Sequence, residues 1–580
     1  MTYLEMYDHF LNSGELTAEE KERMASLTDS EKKEFFSIPL EFGTAGMRGV
    51  LDIGTNRMNI YNVRRATLGL AKFINSLGKE AAKKGIVISY DTRRYSSEFA
   101  CAAAKVLAKE GIKVYLFENV RPVPMCSFAI RYLNATGGIM ITASHNPKQY
   151  NGYKVYGEDG AQLSPEATAK VVEYINKLDY FNIPECEIKL NAELIKGKDN
   201  LKVSDNITII GKSVDDVYFS TINKLSLSPE AVKEVGSDIK IVYTPLHGSG
   251  YMPVTTILAH MGIKVTVVSE QAKPDTEFST VRVPNPEEPD ALKMAIELAD
   301  KIGSDLVIGT DPDCDRMGVA VRNDKGEFVL LNGNQIGALL LDYILKRNKE
   351  NGTLPKNAAV VKTIVTTELA ADIARSYGAE IFDVLTGFKF IGEKIKEWEK
   401  TNEHTFMFGY EESYGYLSGT HARDKDAVVS AMLFAEMACY YKKEGAGIYQ
   451  TLIYLFEKFG YYNERSVSIT YGGLDGMEKM KNIMEYARAQ KFEKIAGNEV
   501  AASLDLVKGI RRKSDGAEEE IKLPRTNALK LILKNGDWIC IRPSGTEPKL
   551  KIYVAAKAPS MEQSKEICER YLEEMKKILS

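Results

Sequence analysis

Residues 85–94 read GIVISYDTRR, and the same grammar returns in DIKIVYTPLHGSG from Asp238 and AAVVKTIVTT from Ala358. Each is a short β-branched run ending in a polar turn, the pattern of a strand buried on both faces. A helical-looking segment closed by Gly follows each, and then a second strand: GIKVYLFENV from Gly111, MGIKVTVVSE from Met261 and YGAEIFDVLTG from Tyr377. A third apolar run completes each stretch and delivers a polar loop: GGIMITASHNP from Gly137, SDLVIGTDPDCDR from Ser304 and FMFGYEESYG from Phe406. That is an internal repeat. Strands alternating with helices predict α/β units with right-handed crossovers, whose ligands collect beyond the carboxyl ends of the strands, where these loops lie.

The repeat predicts an α/β chain of three such domains, over 1–205, 206–322 and 323–440, with the lysine-rich stretch Lys196–Asp205 as a boundary. The tail differs. After a helical connector ending near Gly460, SVSITYGG, DLVKGIRR, ALKLILKNGDWICIRPSGT and LKIYVAAKA read as strands, and MEQSKEICERYLEEMKKIL as a last charged helix. The expectation for 441–580 is therefore a connector and a smaller α+β domain. The chain has 580 residues, more than one hydrophobic core organises, so several domains also follow from length.

Lys plus Arg number 76 against Asp plus Glu at 80, which gives no broad positive field for nucleic acid or an anionic membrane. The opening MTYLEMYDHFLNSGELTAEEKERM is broken by charge, and no apolar run of ~18 residues occurs, so neither a signal peptide nor a membrane span is expected. Seven Cys without a C-x-x-C pair suit reduced thiols and a cytoplasmic protein.

Three polar loops and one tail segment carry candidate chemistry. In DPDCDR, Asp311, Asp313 and Asp315 stand at a spacing of two, so an extended chain turns all three carboxylates to one side, and anions so crowded normally require a hard cation such as Mg²⁺; a solvated acidic turn is the alternative, disfavoured because the motif directly follows the apolar strand LVIG. An EF-hand loop is excluded, because Arg316 stands where it needs Gly and Arg322 where it needs a bidentate acid. TASHNP presents Ser144 between strand end and His145; taken alone it reads as a turn, and a G-x-S-x-G elbow is absent. Its place in the repeat matches that of the aspartate loop. GYEESYG offers Glu411 and Ser413, which suit sugar hydroxyls, although a surface turn reads the same way. RPSGTEPK sets Arg542, Ser544, Thr546 and Lys549 around Gly545, a phosphate nest or a hairpin turn.

Other segments are read more plainly. GTAGMRG is no dinucleotide fingerprint, and its Arg48 is a candidate anion contact. Val63, Ala66, Leu70 and Ile74 form the core face of a helix. His9, His247, His260 and His404 share no ligand spacing and are read as structural.

TASHNP, DPDCDR, GYEESYG and RPSGTEPK, in this order over essentially the whole chain, resemble the α-D-phosphohexomutase superfamily and, within it, the phosphoglucomutase/phosphomannomutase enzymes. The resemblance implies three α/β domains with mixed sheets and a fourth domain around a central cleft. It implies that Ser144 carries a phosphoryl group, that Asp311, Asp313 and Asp315 with Ser144 hold Mg²⁺, and that Glu411 and Ser413 grip sugar hydroxyls. Arg542, Ser544, Gly545 and Thr546 would bind the substrate's phosphate. NGYK makes Lys154 a candidate proton shuttle beside His145. TGFKF and HARDKD bring Lys389, His421, Arg423 and Lys425 as further sugar or phosphate contacts, and Arg48 and Arg316 add positive charge.

The implied reaction interconverts glucose 1-phosphate and glucose 6-phosphate, with glucose 1,6-bisphosphate as intermediate and activator and phosphosugars as partners, and with neither nucleic acid nor membrane. Two dianions must share the cleft, and one pair of unit charges at ~4 Å costs ~4 kcal/mol at an effective dielectric of ~20, so cations must gather there. Phosphopentomutase, phosphomannomutase and sugar-bisphosphate synthase are alternatives from the same chemistry. A serine-dependent phosphatase and a silent sugar-phosphate binder are alternatives from other classes. Tyr410, before Glu411, and TASHNPKQYNGYKVY resemble the branch with phosphopentomutase-like enzymes, which leaves the sugar open.

Overall fold

Each repeat builds its own sheet on one plan, in a computed structural model that describes residues 1–43, 46–471, 476–543 and 549–579. In the first sheet the strands Ile86–Tyr90, Val114–Phe117 and Gly137–Ile141 run parallel, with Ile86–Tyr90 in the middle. The chain then reverses after TASHNP into Tyr150–Gly157, antiparallel to Gly137–Ile141. The second sheet repeats this with Ile241–Thr244, Val265–Val267, Leu306–Thr310 and the antiparallel Met317–Arg322. The third repeats it with Ala358–Thr363, Glu380–Val384, Thr405–Glu411 and the antiparallel Gly415–Ser418. All three sheets are thus mixed, and each polar loop is the connection of a hairpin at the carboxyl edge of its sheet.

Edge strands extend the plan and move two expected limits. Ile207–Ile210 pairs with Val114–Phe117 and so lies in the first sheet, beyond residue 205. Phe328–Leu331 pairs with Met317–Arg322 and closes the second sheet, beyond residue 322. Gly46–Val50, which carries Arg48, borders the first sheet antiparallel to Tyr150–Gly157.

The tail forms an antiparallel sheet, in which Tyr461–Thr470, Lys549–Ala558, Trp538–Pro543, Leu529–Leu533 and Asn498–Asp505 follow one another in space. The helix Met561–Ile578 lies on it, burying Cys568, Tyr571 and Met575. DLVKGIRR is not one strand. It contains the turn between Asn498–Asp505 and Ile510–Lys513, with Gly509 at φ 67.

The first 36 residues form three short helices: Tyr3–Leu11, Ala18–Ala25 and Asp29–Phe36. Each begins with a T-x-x-E capping box, formed by Thr2 and Glu5, Thr17 and Glu20, and Thr28 and Glu31. Threonine accepts the N–H three residues on and glutamate accepts the threonine's own N–H, which satisfies two donors at each helix start. Phe10, Phe36, Tyr61 and Phe181 then pack edge to face and hold this layer to the first domain.

The helix Ala427–Lys443 is buried on nearly every side and is apolar all round, as a central helix must be. It shares one core with residues of the first, second and third sheets. The helix Ile60–Ser76 buries Val63, Ala66, Leu70 and Ile74 as its spacing requires. All seven cysteines are free, and among the described residues no helix is long and apolar enough to cross a membrane.

Candidate active site

The aspartate loop is fastened from the other two repeats through its backbone. The Val123 N–H, at the start of helix Val123–Tyr132 in the first domain, donates to the Asp313 carbonyl at 3.0 Å. The Met317 N–H donates to the Tyr414 carbonyl of the third loop at 3.0 Å, and Arg316 forms a bridge with Gly415. Ser144, Cys314 and Tyr414 adopt left-handed backbone, with φ of 53, 50 and 66. One non-glycine residue in this region costs of order 1–3 kcal/mol, and such strain clusters at functional sites. All three loops carry it at matching places in the repeat.

Ser144 meets the aspartates directly. Its Oγ donates to Asp311 Oδ2 at 2.9 Å and lies 3.2 Å from His145 Nδ1. Its N–H donates to Thr142 Oγ1, which in turn donates to Asp313 Oδ2. Arg48 Nη1 reaches the same loop, donating to Asn146 Oδ1 at 3.0 Å.

Asp311, Asp313 and Asp315 are buried, and each offers an oxygen within 4.8 Å of the others. Lys154 Nζ, from the return strand of the first sheet, sits 2.8 Å from Asp313 Oδ2 and 3.8 Å from Asp315 Oδ2. Lys425 Nζ sits 3.1 Å from Asp315 Oδ2. Burial and then the neighbouring carboxylates push Asp311 well above the usual carboxylate range, and burial with Asp313 raises Asp315. Burial acts the same way on Asp313, but Lys154, the hydrogen bond with Asp311 and Lys425 together outweigh it and hold this carboxyl low. Asp313 Oδ1 and Asp315 Oδ1 are buried with no hydrogen-bond partner among the described residues. Repelling carboxylates with unused oxygens in dry surroundings are the donor set of a hard divalent cation, so the residues fit Mg²⁺.

The two proton-shuttle candidates differ in charge. Burial, then Arg316 and Arg48, push His145 well below its ordinary value, which leaves its imidazole neutral. Burial disfavours the Lys154 ammonium, yet Asp313 and Asp315 raise its pKa and keep it charged.

HARDKD divides. Only Lys425 reaches the carboxylate cluster, threading past Gly415, where a Cβ would lie 2.0 Å from Lys425 Cδ. His421 is turned inward, with Nε2 2.7 Å from Asp426 Oδ2, the residue that caps helix Ala427–Lys443. Arg423 donates to the carbonyls of Thr420 and Ala422 and pairs with Glu399. His421 is thus engaged with the cap of a helix start, and Arg423 with its own loop and Glu399. Arg316 Nη1 is held by Glu287 Oε1 at 2.6 Å. Glu411 Oε1 accepts the Gly387 N–H at 2.8 Å, which joins the third loop to the turn before Lys389, and Lys389 Nζ stands 4.8 Å over the Phe390 ring.

Ser413 is half-buried in the turn after Glu411. Tyr410 is fully buried, its ring against Gly337 and stacked with Tyr416, so this side chain lies in the core. Arg542 ends the strand Trp538–Pro543 opposite Lys551. Ser544, Gly545 and Thr546 lie outside the described residues.

Sequence reasoning missed Thr142, Asp424 and Arg93. Asp424 Oδ1 lies 3.2 Å from Lys425 Nζ, and its Oδ2 accepts from Tyr156 Oη. The carboxyl-end rule that singled out the third loop of each repeat applies equally to the DTRR turn holding Arg93.

Profiles of phosphoglucomutase/phosphomannomutase match this chain in four parts: α/β/α domains I, II and III over residues 39–181, 216–326 and 332–456, and the C-terminal domain over 479–574. The chain belongs to the phosphoglucomutase/phosphomannomutase family. Members of this α-D-phosphohexomutase group are mutases. The phosphoglucomutase of Staphylococcus haemolyticus strain JCSC1435 is 39% identical over 547 residues, which cover 93% of this chain and 95% of that protein. The phosphoglucomutase of Staphylococcus epidermidis strain RP62A is 40% identical over 536 residues, 91% of this chain and 92% of that protein. In fold, the chain resembles the Paramecium phosphoprotein pp63/parafusin, a phosphoglucomutase in its open form, with a TM-score of 0.67 at 16% identity over 93% of this chain and 95% of that one.

Proposed function

We propose that this protein is a cytoplasmic phosphoglucomutase that interconverts glucose 1-phosphate and glucose 6-phosphate through phosphorylated Ser144 and glucose 1,6-bisphosphate. The carrying observation is the 2.9 Å hydrogen bond from Ser144 Oγ to Asp311 Oδ2, which sets a hydroxyl against a buried carboxylate cluster. Asp311, Asp313, Asp315 and Ser144 would hold Mg²⁺, which when bound supplies the positive charge a transferring phosphoryl group needs.

In the forward half-reaction the P–O bond to Ser144 breaks and a P–O bond to the free sugar hydroxyl forms. The sugar hydroxyl gives up its proton and Ser144 Oγ gains one. His145 Nδ1, 3.2 Å from Oγ, is assigned the exchange at Ser144, and Lys154 the balancing charge on Asp313. Turning the bisphosphate and reversing the same steps phosphorylates Ser144 again and releases the isomer. Glu411 and Ser413 are assigned to sugar hydroxyls, with Lys389 beside them. Arg48, Arg316 and Lys425 supply charge around the transferred group. Arg542 with Ser544, Gly545 and Thr546 is assigned to the phosphate that stays on the sugar, because a guanidinium and a glycine-containing turn suit a dianion.

Mass spectrometry after incubation with glucose 1,6-bisphosphate should find one phosphoryl group, on Ser144. A coupled assay with glucose, mannose and ribose 1-phosphates should rank glucose first. Ribose 1-phosphate turned over faster would replace the reading with phosphopentomutase, and phosphate released in step with substrate loss would replace it with a phosphatase.

A further inference from the structure

The DTRR turn that ends the strand Ile86–Tyr90 holds a buried arginine with no part in the chemistry above. The Arg93 guanidinium donates to four main-chain carbonyls of the serine loop. Nη2 reaches Ser144 O and Asn146 O, each at 2.5 Å, and Nη1 reaches Pro147 O at 2.9 Å and Tyr150 O at 3.0 Å. Its Nε lies 3.3 Å from Asp91 Oδ2, and the other Asp91 oxygen accepts from the Arg93 N–H and Ser96 Oγ. The ring of Phe278, from the second domain, lies 5.1 Å from the guanidinium carbon. At the surface, Glu277 pairs with both Arg94 and Lys148 and ties the same two segments together.

We propose that Arg93 is the positioning residue for Ser144, shaping the serine loop from inside so that Oγ faces the aspartates. The inference rests on Ser144 as the phosphoryl carrier. A loop of Ser, His, Asn, Pro and Lys has many turn conformations open to it, and Ser144 holds an uncommon one at φ 53. Four carbonyls converging on one planar fork single out that conformation. A lysine cannot do the same, since its ammonium presents three donors from a single atom, whereas guanidinium spreads five in a plane. Phe278 backs the fork from the second domain, so the serine loop is braced from outside its own sheet.

The test compares wild type with Arg93→Lys and Phe278→Leu. A displacement of about 1 Å at a reacting atom costs about 100-fold, so Arg93→Lys should lower kcat about that much while KM for glucose 1-phosphate stays within about 3-fold. Mg²⁺ affinity, read by calorimetry on unphosphorylated protein, should stay within about 3-fold of wild type, because only the Ser144 ligand shifts while Asp313 and Asp315 keep Lys154 and Lys425. Hydrogen exchange should quicken in peptides covering 143–150 and not in those covering 306–317. Phe278→Leu keeps all four hydrogen bonds and should give the same exchange pattern with a kcat loss of about 3- to 10-fold; it decides the matter if Arg93→Lys does not fold. Wild-type kcat in the folded variants, or a loss of Mg²⁺ affinity and exchange protection across both loops, overturns the proposal. A phosphoryl group found elsewhere in wild type sinks the serine reading itself, whereas phospho-Ser144 with full turnover in Arg93→Lys sinks this inference alone.

Discussion

The serine loop and the aspartate loop occupy the same place in two copies of one repeat, yet their surroundings have opposite electrical character. Around Ser144 stand Arg48, Arg93 and a neutral His145. The aspartate loop carries three carboxylates and draws its cations from elsewhere, Lys154 from the serine loop's own sheet and Lys425 from the third domain. The repeat therefore fixes where a loop sits, at the carboxyl edge of a mixed sheet, and leaves its chemistry to a few side chains. Neither loop is complete alone. One supplies the hydroxyl and lysine that the other needs, and receives a carboxylate partner in return.

The sharpest way to break this division is at Ser144. Ser144→Ala should lower turnover at least about 10⁴-fold, since it removes the hydroxyl assigned to carry the phosphoryl group, while Mg²⁺ still binds. Calorimetry showing that Mg²⁺ no longer binds would mean that the two loops are not separable. Next comes Asp313→Asn, expected to cost about 10²- to 10³-fold in kcat and to weaken Mg²⁺ dependence with it, because it removes charge that acts in the transition state. Unchanged activity of the parent protein in EDTA would refute that role. Lys425→Met should reduce kcat/KM about 10- to 100-fold, the effect of one charge-assisted contact, without changing where phosphorylation occurs. The smallest effect is expected at Tyr410. Its buried hydroxyl has no hydrogen-bond partner among the described residues, so Tyr410→Phe should leave sugar preference unchanged and raise stability by up to about 1 kcal/mol in thermal unfolding. A changed ranking of sugars would move this residue from the core into the site.

The three parallel cores were legible because buried strands announce themselves as β-branched runs, and the repeat confirmed each from the other two. Edge strands such as Phe328–Leu331 are short and half-exposed, and so carry a weaker pattern. The aspartates were legible from spacing alone. HARDKD was not, because in an irregular loop the sequence does not say which side each residue faces, and only Lys425 turned to the cluster. Arg93 stayed hidden because its four serine-loop partners are main-chain carbonyls, which leave no trace in the residue types of that loop.

Gly415 gives this arrangement an exposed flank of another kind. Its backbone would accept alanine, as its φ is not in the left-handed region, but the added methyl carbon would occupy the path of the Lys425 side chain. The lysine would then have to leave Asp315, although no ionisable residue had been altered. The arrangement of charges is thus vetoed by a single atom of hydrocarbon, and a harmless-looking change between two small residues can silence chemistry as surely as the loss of a carboxylate.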